Sequence, residues 1–390
     1  MITFFYTFLA YNYDIIMIVG DKNMRVVISA GGTGGHIYPA LAILDKIKEK
    51  DKNAEFLYIG TTNRMEKDIV PKHGYKFIGV NVIGLKRSLS PRNVKSMFLF
   101  VAAISKCKKI LKKFKPDVVI GCGGYVSAPT IYAANKLGIK CCIHEQNSIF
   151  GITNKFASKF ADKIFVSFKS MLDNSIDKDK IIYTGNPCGE LALKNKLVKK
   201  EDYGLTPSKK LVLIVMGSLG SKTISDRMKT LLTLFNNKDY EVVFVTGKNY
   251  FDEYKDINYT SNIKIVPYID NMSSLLRETD CLVSRAGATT LSEIGALKVP
   301  SILIPSPYVT ENHQYKNAMD LVNKEAAMIL EEKDLDGDML LRMVEKILND
   351  KVYTNKLKEN LKEFEVKNSA SIIYDEIVKL LGDNNNEKNN

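Results

Sequence analysis

The sequence lacks the cysteine spacings that hold structural metals or form a framework of disulfide bridges. It contains six cysteines, none of which forms a C-x-x-C pair, and Cys141 and Cys142 are adjacent. A zinc site and a disulfide framework both need other spacings. The cysteine pattern therefore excludes both and favours a reduced, cytoplasmic setting. We expect no metal and no other cofactor.

Long apolar runs are also missing. The run ITFFYTFLA near the start is followed by Asn12 and Asp14 and has no basic flank. A membrane-spanning helix needs about 20 apolar residues, and a signal peptide needs a basic N-terminal region. We expect residues 1–23 to be an extension, either non-native or a weak membrane tether, before a domain that starts at Met24.

Acidic residues are outnumbered by basic ones. The 390 residues include 56 Lys and Arg against 44 Asp and Glu, which gives a net charge of +12. The excess favours an anionic partner such as nucleic acid, acidic lipid or a phosphorylated ligand, although a genome that overuses Lys and Asn also explains part of it. Apolar residues make up 45% and charged residues 26%. This balance excludes collagen, disorder throughout and a polytopic membrane protein.

From Met24 onward, short β-branched runs alternate with longer helical stretches, which is typical of βαβ units around a parallel sheet. The predicted strands are, in a first series, RVVISA, AEFLYIG, FIGVNV, DVVIGCG, KCCIHE, KIFVSF and IIYTG, and in a second, LVLIVMG, EVVFVTG, IKIVPYI, CLVSRAG, SILIPS and AAMIL. Each series opens with a strand, a glycine-rich turn and a helix, and the two turns start at Gly31 and Gly217. The sequence therefore predicts an α/β protein with two Rossmann-like domains in tandem.

The domain boundaries follow from these patterns. We place the first domain at residues 24–190 and the second at residues 191–365. An amphipathic C-terminal helix at 366–381, able to pack back on the first domain, precedes the polar segment 382–390, which we expect to be disordered. Ligands of such sheets bind at the carboxyl ends of the strands. If the two sheets face each other, the site is the cleft between them.

The first glycine-rich turn, Gly31 to Gly35, lets a polar or anionic ligand approach the backbone and a helix N-terminus closely. No Gly-Lys-Ser/Thr follows, which excludes a P-loop, and Ile37 stands where a dinucleotide fingerprint has its third glycine. His36 lies at the start of the helix, where the dipole disfavours imidazolium, so a neutral His36 can take a proton. The alternative is a histidine that only caps or packs the turn.

The second domain offers two turns of the same kind. Gly217 to Ser221 presents N–H groups and hydroxyls to a phosphate, and the turn Arg285–Ala288 leads into a helix that carries Glu293 one turn in. Free N–H groups and hydroxyls there suit a diphosphate, and a glutamate can accept both hydroxyls of a ribose. Thr290 and Glu293 also fit a capping box, which is the alternative interpretation.

A basic and apolar stretch is the last feature of the first domain. The segments Gly84–Leu89 and Met97–Val101 are followed by lysines between Lys106 and Lys115. Apolar residues beside so many lysines suit an anionic membrane surface, to which each nearby lysine adds about 1 kcal/mol. An ordinary amphipathic helix with a solvated lysine face is the alternative. We expect no nucleic-acid partner, because no aromatic and arginine stacking pattern accompanies the lysines.

The chain resembles the MurG family in collinear blocks between Met24 and about Ala318: GGTGGH, RMEKDIVPKHGY, KPDVVIGCGGYVSAP, HEQNSIFGITNK, TGNP, MGSLGS, RAGATTLSEIGAL and HQYKNA. That family has the GT-B architecture and transfers N-acetylglucosamine from UDP-N-acetylglucosamine to undecaprenyl-diphosphate-linked N-acetylmuramoyl-pentapeptide. The resemblance implies an inverting, metal-independent transferase of peptidoglycan synthesis, and so of cell wall biogenesis, cell shape and cell division. It also implies a peripheral location on the cytoplasmic side of the cell membrane. The alternatives are a GT-B enzyme with another lipid acceptor and a non-catalytic basic membrane adaptor.

The resemblance further implies a role for each matching residue. His36 would be the base that takes the proton of the acceptor's 4-hydroxyl, with Glu145 as the next candidate. The diphosphate of the donor would be bound by Ser218 and by the turn Ala288, Thr289 and Thr290, and the donor contacts would continue through Leu291 and Ser292. Glu293 would bind the ribose, and the backbone of Ile269 would bind the uracil. Gln314 would bind the sugar hydroxyls. The residues that would close over the donor sugar and the acceptor are Thr33, Gly34, Gly35 and Asn147. The membrane contacts would be Leu85, Lys86, Arg87, Leu89, Met97 and Phe98.

Three positions depart from the family's pattern. Gly189 stands where the family has an arginine, two residues after the proline of its GNP motif, so one charged contact to a diphosphate would fall to another basic residue. Met216 and Leu219 stand where the second glycine loop of the family usually has Gly and Gln.

Overall fold

A computed structural model describes residues 23–84, 91–173, 178–217, 221–336 and 338–387 of the chain. Within these ranges the chain forms two parallel β-sheets, of seven and six strands, covered by helices. Each of the thirteen predicted runs contains a strand, so the α/β prediction with two parallel sheets is confirmed. Except for Asn23, the expected extension at residues 1–23 lies outside the described residues.

The strands are short and follow the chain in two series. Those of the first sheet are β1 (Arg25–Ser29), β2 (Glu55–Thr61), β3 (Phe77–Val80), β4 (Val118–Gly121), β5 (Lys140–Glu145), β6 (Lys163–Val166) and β7 (Ile181–Tyr183). Those of the second sheet are β8 (Leu211–Val215), β9 (Glu241–Val245), β10 (Ile263–Val266), β11 (Cys281–Ser284), β12 (Ser301–Leu303) and β13 (Met328–Ile329).

The α-helices alternate with the strands. Those up to the start of the second sheet are α1 (Gly34–Lys50), α2 (Glu66–Lys72), α3 (Pro91–Phe114), α4 (Ser127–Asn135), α5 (Ile152–Ala157) and α6 (Pro187–Lys194). Those that follow are α7 (Lys222–Leu231), α8 (Met272–Arg277), α9 (Ala288–Leu297), α10 (His313–Val322), α11 (Met339–Asn349), α12 (Lys351–Asn360) and α13 (Ser369–Glu387).

The strand order of each sheet reverses beside its first strand. The first sheet has the order β3-β2-β1-β4-β5-β6-β7, and the second has the order β10-β9-β8-β11-β12-β13. In doubly wound sheets, ligands bind outside the carboxyl ends of the strands where the order reverses. This rule places the ligand crevices after β1 and β4 in the first sheet and after β8 and β11 in the second. The glycine-rich turns lie at these positions.

The C-terminal helix α13 follows the second sheet in sequence but packs on the first. Its residues Ile373 and Ile377 are fully buried in one hydrophobic cluster with Val26 and Ile28 of β1. Consecutive residues of β1 are buried because helices cover both faces of a parallel sheet. The last helix therefore joins the second half of the chain to the core of the first.

A buried carboxylate strengthens this connection. Glu190 of α6 lies with Oε1 2.9 Å from Lys46 Nζ of α1, and both side chains are almost fully buried. Its Oε2 accepts a hydrogen bond of 2.8 Å from the backbone N–H of Ala370 at the start of α13. Because a buried charge without a partner is costly, this pair holds α1, α6 and α13 in one arrangement.

The end of the chain differs from the prediction. We expected disorder from residue 382, whereas α13 continues to Glu387. Once the first turns of a helix are anchored, each further residue adds a hydrogen bond at little cost, and the buried part of α13 supplies that anchor. Within the described ranges, none of the helices combines the length and the apolar composition that crossing a bilayer requires.

Candidate active site

The first glycine loop connects β1 to α1 and carries His36. Gly32 has φ +96°, a conformation that favours glycine. Thr33 is the N-cap residue of α1, and the backbone N–H of His36 donates to the Thr33 carbonyl at 3.1 Å. The His36 side chain therefore projects from the first turn of α1, at the carboxyl edge of the sheet.

A second glycine loop, Gly121 to Tyr125 after β4, packs directly against the first. Gly31 N–H donates to the Gly123 carbonyl at 3.3 Å. A Cβ atom at Gly123 would lie 2.6 Å from the His36 ring, and one at Gly124 would overlap the Gly31 carbonyl. Both glycines have positive φ, +94° and +78°. This second loop therefore forms the surface on which His36 rests.

The surroundings of His36 favour its neutral form. Desolvation lowers the pKa of its imidazole, while the negative charge of Glu145 and a hydrogen bond with the Gly31 backbone oppose this. The ring Nδ1 lies 3.4 Å from the Thr33 hydroxyl. A neutral imidazole can accept a proton, and the lowered pKa favours this form.

Glu145, the second candidate for the base, is buried at the end of β5 with both oxygens in hydrogen bonds. Its Oε1 accepts from the backbone and side-chain N–H groups of Asn147, each at 3.0 Å. Its Oε2 accepts from Gly151 N–H and the Asn154 amide, again at 3.0 Å. A carboxylate has about four lone-pair sites, so these four donors of its own loop occupy both oxygens of Glu145. The geometry therefore favours Glu145 as the group that orients Asn147.

Asn317 of α10 connects this loop to the second half of the chain. Its side chain is fully buried, its oxygen accepts from Ser148 N–H at 2.8 Å, and its nitrogen donates to Asn147 Oδ1 at 3.1 Å and to the Ala286 carbonyl at 3.3 Å. The sequence prediction missed this residue. The one feature of the sequence that pointed to Asn317 was its position in the block HQYKNA, three residues after Gln314.

The predicted diphosphate site lies at the start of α9. The N-cap is Gly287, which has no side chain, and the helix begins at Ala288. Thr290 and Glu293 therefore lie inside the helix, so the alternative interpretation as a capping box is wrong. N–H groups at a helix start carry partial positive charge and point at any ligand placed there. Thr289, Thr290 and the following Leu291 and Ser292 form the first turns of this helix.

The remaining predicted donor contacts surround the same edge of the second sheet. Desolvation raises the pKa of Glu293 from 4.5 to about 7. Gln314 in the first turn of α10 accepts a hydrogen bond of 2.8 Å from Ser306 N–H through its amide oxygen. The side chain of Ile269, three residues after β10, is buried. Ser218 lies outside the described residues.

Gly189 has a packing reason to be a glycine. It lies in α6, where an added Cβ would be 3.0 Å from the Ser292 carbonyl oxygen and 3.5 Å from the Ala296 side chain of α9. The absence of a side chain lets α6 approach the helix that begins at the predicted diphosphate site. An arginine at this position would need α9 to move by a few tenths of an ångström.

The predicted membrane contacts fall partly within the structure. Leu85, Lys86, Arg87 and Leu89 lie outside the described residues, whereas Met97 and Phe98 belong to α3 and are 55% and 73% exposed. Large apolar side chains exposed on one face of α3, at spacings of three and four residues, are Val94, Met97, Phe98 and Val101. The opposite face, with Ala103, Cys107 and Leu111, is buried.

Comparisons with known proteins match both halves of the chain. Residues 26–166 match the glycosyltransferase family 28 N-terminal domain, and residues 211–373 match the family 28 C-terminal domain. A Bacillus cereus protein is 45% identical over 92% of this chain and 100% of its own length, and a Bacillus cytotoxicus protein is 44% identical with the same coverage. Both are named UDP-N-acetylglucosamine--N-acetylmuramyl-(pentapeptide) pyrophosphoryl-undecaprenol N-acetylglucosamine transferase, the first with the number 1.

A solved structure is similar over nearly the whole chain. The crystal structure of Acinetobacter baumannii MurG has a TM-score of 0.73 and 25% sequence identity, and the match covers 91% of this chain and 99% of that one. The two-domain GT-B prediction is thereby confirmed. Since the two domain models, the relatives and this structure all agree, the chain belongs to glycosyltransferase family 28.

Proposed function

We propose that the protein transfers N-acetylglucosamine from UDP-N-acetylglucosamine to the 4-hydroxyl of undecaprenyl-diphosphate-linked N-acetylmuramoyl-pentapeptide in peptidoglycan synthesis. The observation that carries the proposal is that Asn317 of α10 bonds to Asn147 and Ser148 in the loop after β5, while Glu145 at the end of the same strand faces His36. The proposed base and the proposed carbohydrate-binding amide of one half would thus face the donor site that we assign to the other half. The names of the relatives with 44 to 45% identity supply the donor and acceptor.

The proposed reaction is a single displacement with inversion. His36 takes the proton of the acceptor hydroxyl, whose oxygen attacks the anomeric carbon of the donor sugar. The new glycosidic bond forms as the bond from that carbon to the UDP oxygen breaks, and the electron pair leaves with UDP. N–H groups at the start of α9 would stabilise the departing diphosphate, with Ser218 as a further contact. Because both substrates bind in one cleft, part of the entropic barrier is removed before reaction.

Each half of the chain has a proposed task. Residues 24–190 would bind the acceptor, with Thr33, Gly34, Gly35 and Asn147 closing over the reacting sugars. Residues 191–365 would bind the donor, with Glu293 at the ribose, Gln314 at the sugar hydroxyls and the Ile269 backbone at the uracil. The family 28 N-terminal domain match, residues 26–166, lies within the first range, and the C-terminal domain match, residues 211–373, begins within the second.

Transfer of radiolabelled N-acetylglucosamine to the undecaprenyl-linked acceptor tests the reaction. We expect label in this lipid and none in diacylglycerol under the same conditions. Label in diacylglycerol alone would assign a different lipid acceptor. Binding of UDP-N-acetylglucosamine, measured by calorimetry, separates an enzyme from a non-catalytic adaptor, because an adaptor should bind none.

We also propose that α3 docks on the cytoplasmic surface of the cell membrane. Its outward face is apolar from Val94 to Val101 and continues with the lysines Lys109 and Lys112, which are exposed. Such a face inserts apolar side chains at the headgroup level and attracts anionic lipids. The acceptor's lipid chain would remain in the bilayer while its sugar enters the cleft.

Sedimentation with vesicles tests the docking. We expect binding to phosphatidylglycerol vesicles to fall at least tenfold in the double variant Met97→Ser and Phe98→Ser. Val352→Ser is the matched control, because Val352 is 82% exposed on α12 of the other half. Binding should also weaken in high salt, and salt-insensitive binding would contradict the contribution of the lysines.

A further inference from the structure

Glu66 is a fully buried glutamate at the start of α2, and its carboxylate connects the ends of two neighbouring strands. Its Oε1 accepts hydrogen bonds from the backbone N–H of Thr61 at 2.9 Å and from the Thr61 hydroxyl at 2.5 Å. Its Oε2 accepts from the backbone N–H of Gly32 at 3.1 Å. Thr61 ends β2 and Gly32 follows β1, so one side chain holds two loops of the carboxyl edge at a fixed separation.

Gly31 and Gly60 leave space for this carboxylate because they have no side chain. A Cβ atom at Gly31 would overlap Glu66 Oε1, and one at Gly60 would lie 2.7 Å from Glu66 Cγ. Burial of a carboxylate is costly unless donors satisfy it. Three donors in a closed space satisfy Glu66 and leave it few other orientations. The first glycine loop is therefore built around this side chain.

The bond to Gly32 acts on the residues that surround His36. Gly32 is followed by Thr33, whose hydroxyl lies 3.4 Å from His36 Nδ1. Gly31, on the other side, forms a backbone hydrogen bond with the His36 ring. A displacement of Gly32 would move both of these contacts.

Glu66 is also one of the charged groups that face His36. These groups are Glu145 at the end of β5, His313 at the start of α10 and Glu66 itself. The negative charges of Glu145 and Glu66 raise the pKa of the imidazole, whereas His313 and desolvation lower it. Glu145 is already held by four donors of its own loop, so it does not fix the glycine loop.

We propose that Glu66 is a positioning residue that holds the first glycine loop, and through it the His36 imidazole, in the orientation that proton abstraction requires. The inference rests on the proposed transfer reaction. Glu66 itself is buried behind the loop, so it acts through Gly32 and His36 without touching a substrate.

The variant Glu66→Gln removes one acceptor while keeping the shape of the side chain. If the amide oxygen of the variant faces Thr61, its NH₂ group faces the N–H of Gly32, and two donors cannot bond to each other. If the amide is flipped, the N–H of Thr61 loses its acceptor. Glu66→Asp keeps the charge but is one methylene too short to reach both loops.

A matched control is available at the other edge of the same sheet. Asp162 Oδ2 accepts a hydrogen bond of 2.7 Å from the backbone N–H of Cys141 at the amino end of β5. Asp162→Asn also removes a carboxylate that holds a strand in the first sheet, but far from the glycine loops. Asp162→Asn therefore measures the effect of losing a hydrogen bond that stabilises the same sheet but has no connection to His36.

Two measurements test the inference. We expect Glu66→Gln to lower kcat at least tenfold with a smaller change in KM, because the loss concerns orientation of the base. In the wild type the chain has only four histidines, so the titration of His36 can be followed by NMR and assigned with His36→Asn. We expect Glu66→Gln to move this titration to lower pH, Glu66→Asp to lower kcat with the titration retained, and Asp162→Asn to change neither.

An unchanged His36 titration together with a kcat within twofold of the wild type in Glu66→Gln would overturn the inference. If Glu66→Gln does not fold, Glu66→Asp decides by its kcat, and a kcat within twofold of the wild type in that variant would overturn the inference. If the wild type transferred no sugar, the proposed reaction would be refuted, and the NMR titration would still support or overturn the connection between Glu66 and His36.

Discussion

Replacement of Glu293 by Gln should make the protein more stable above neutral pH and leave its stability in acid almost unchanged. Desolvation raises the pKa of Glu293 from 4.5 to about 7 in the folded state. The folded state then binds the proton more tightly than the unfolded chain, so the wild type loses stability as pH rises from 4.5 to 7. At about 1.4 kcal/mol per pH unit, the full loss is about 3 kcal/mol.

Urea denaturation at pH 5 and pH 8 measures this loss. Because part of it is already present at pH 5, we expect the stability difference between Glu293→Gln and the wild type to grow by about 2.5 kcal/mol between the two pH values. The control is Glu359→Gln, which makes the same substitution at an exposed residue of α12 and measures its effect away from the site. An equal difference at both pH values for Glu293→Gln would refute the reasoning.

The same group should govern UDP binding. Ribose hydroxyls donate hydrogen bonds more strongly to a carboxylate than to a neutral acid. We therefore expect the affinity of the wild type for UDP to rise about tenfold more than that of Glu293→Gln between pH 6 and pH 8, as measured by calorimetry. Parallel pH profiles for the two proteins would place the ribose away from Glu293.

Three further substitutions test the site and the fold. His36→Ala should lower kcat at least 100-fold with saturating substrates, and a loss of less than tenfold in folded protein would exclude His36 as the base. Asn317→Ala leaves buried donors and acceptors unpaired between the two halves and should lower kcat/KM about tenfold; unchanged kinetics would contradict a role for that bridge. Glu190→Ala leaves the buried Lys46 ammonium without this carboxylate and should lower the free energy of unfolding by about 3 kcal/mol in urea, whereas Lys379→Ala, at an exposed position, should change it by less than about 0.5 kcal/mol.

Much of the fold could be predicted because its signals are local. Each strand is a short run of β-branched and apolar residues. Such a run indicates a strand that is buried on both faces of a parallel sheet. The helix that carries Ser369 to Leu381 was predicted from its apolar spacing. Its continuation to Glu387 was not, because the Asn-rich end has a weak helical preference that the anchored turns override.

The candidate site could be predicted only in part. His36 and Glu293 lie close after glycine-rich turns at strand ends. This position identifies them in the sequence as candidate site residues. Asn317 lies inside a helix, and Glu66 begins one, where polar residues are common. The residues around Asn317 and Glu66 in the sequence do not distinguish these two buried side chains from polar side chains exposed to solvent.

The sequence by itself determined the order of the elements, the two glycine-rich openings and the edge of each sheet at which ligands bind, because periodicity and turn chemistry are properties of neighbouring residues. Only the tertiary structure decided which distant residues meet. The bond between Gly32 and Glu66 spans 34 residues, and that between Asn147 and Asn317 spans 170. Such contacts depend on how strands align in a sheet and how two halves pack, and these are set by the burial of the whole core. The orientation of His36 is a result of that packing.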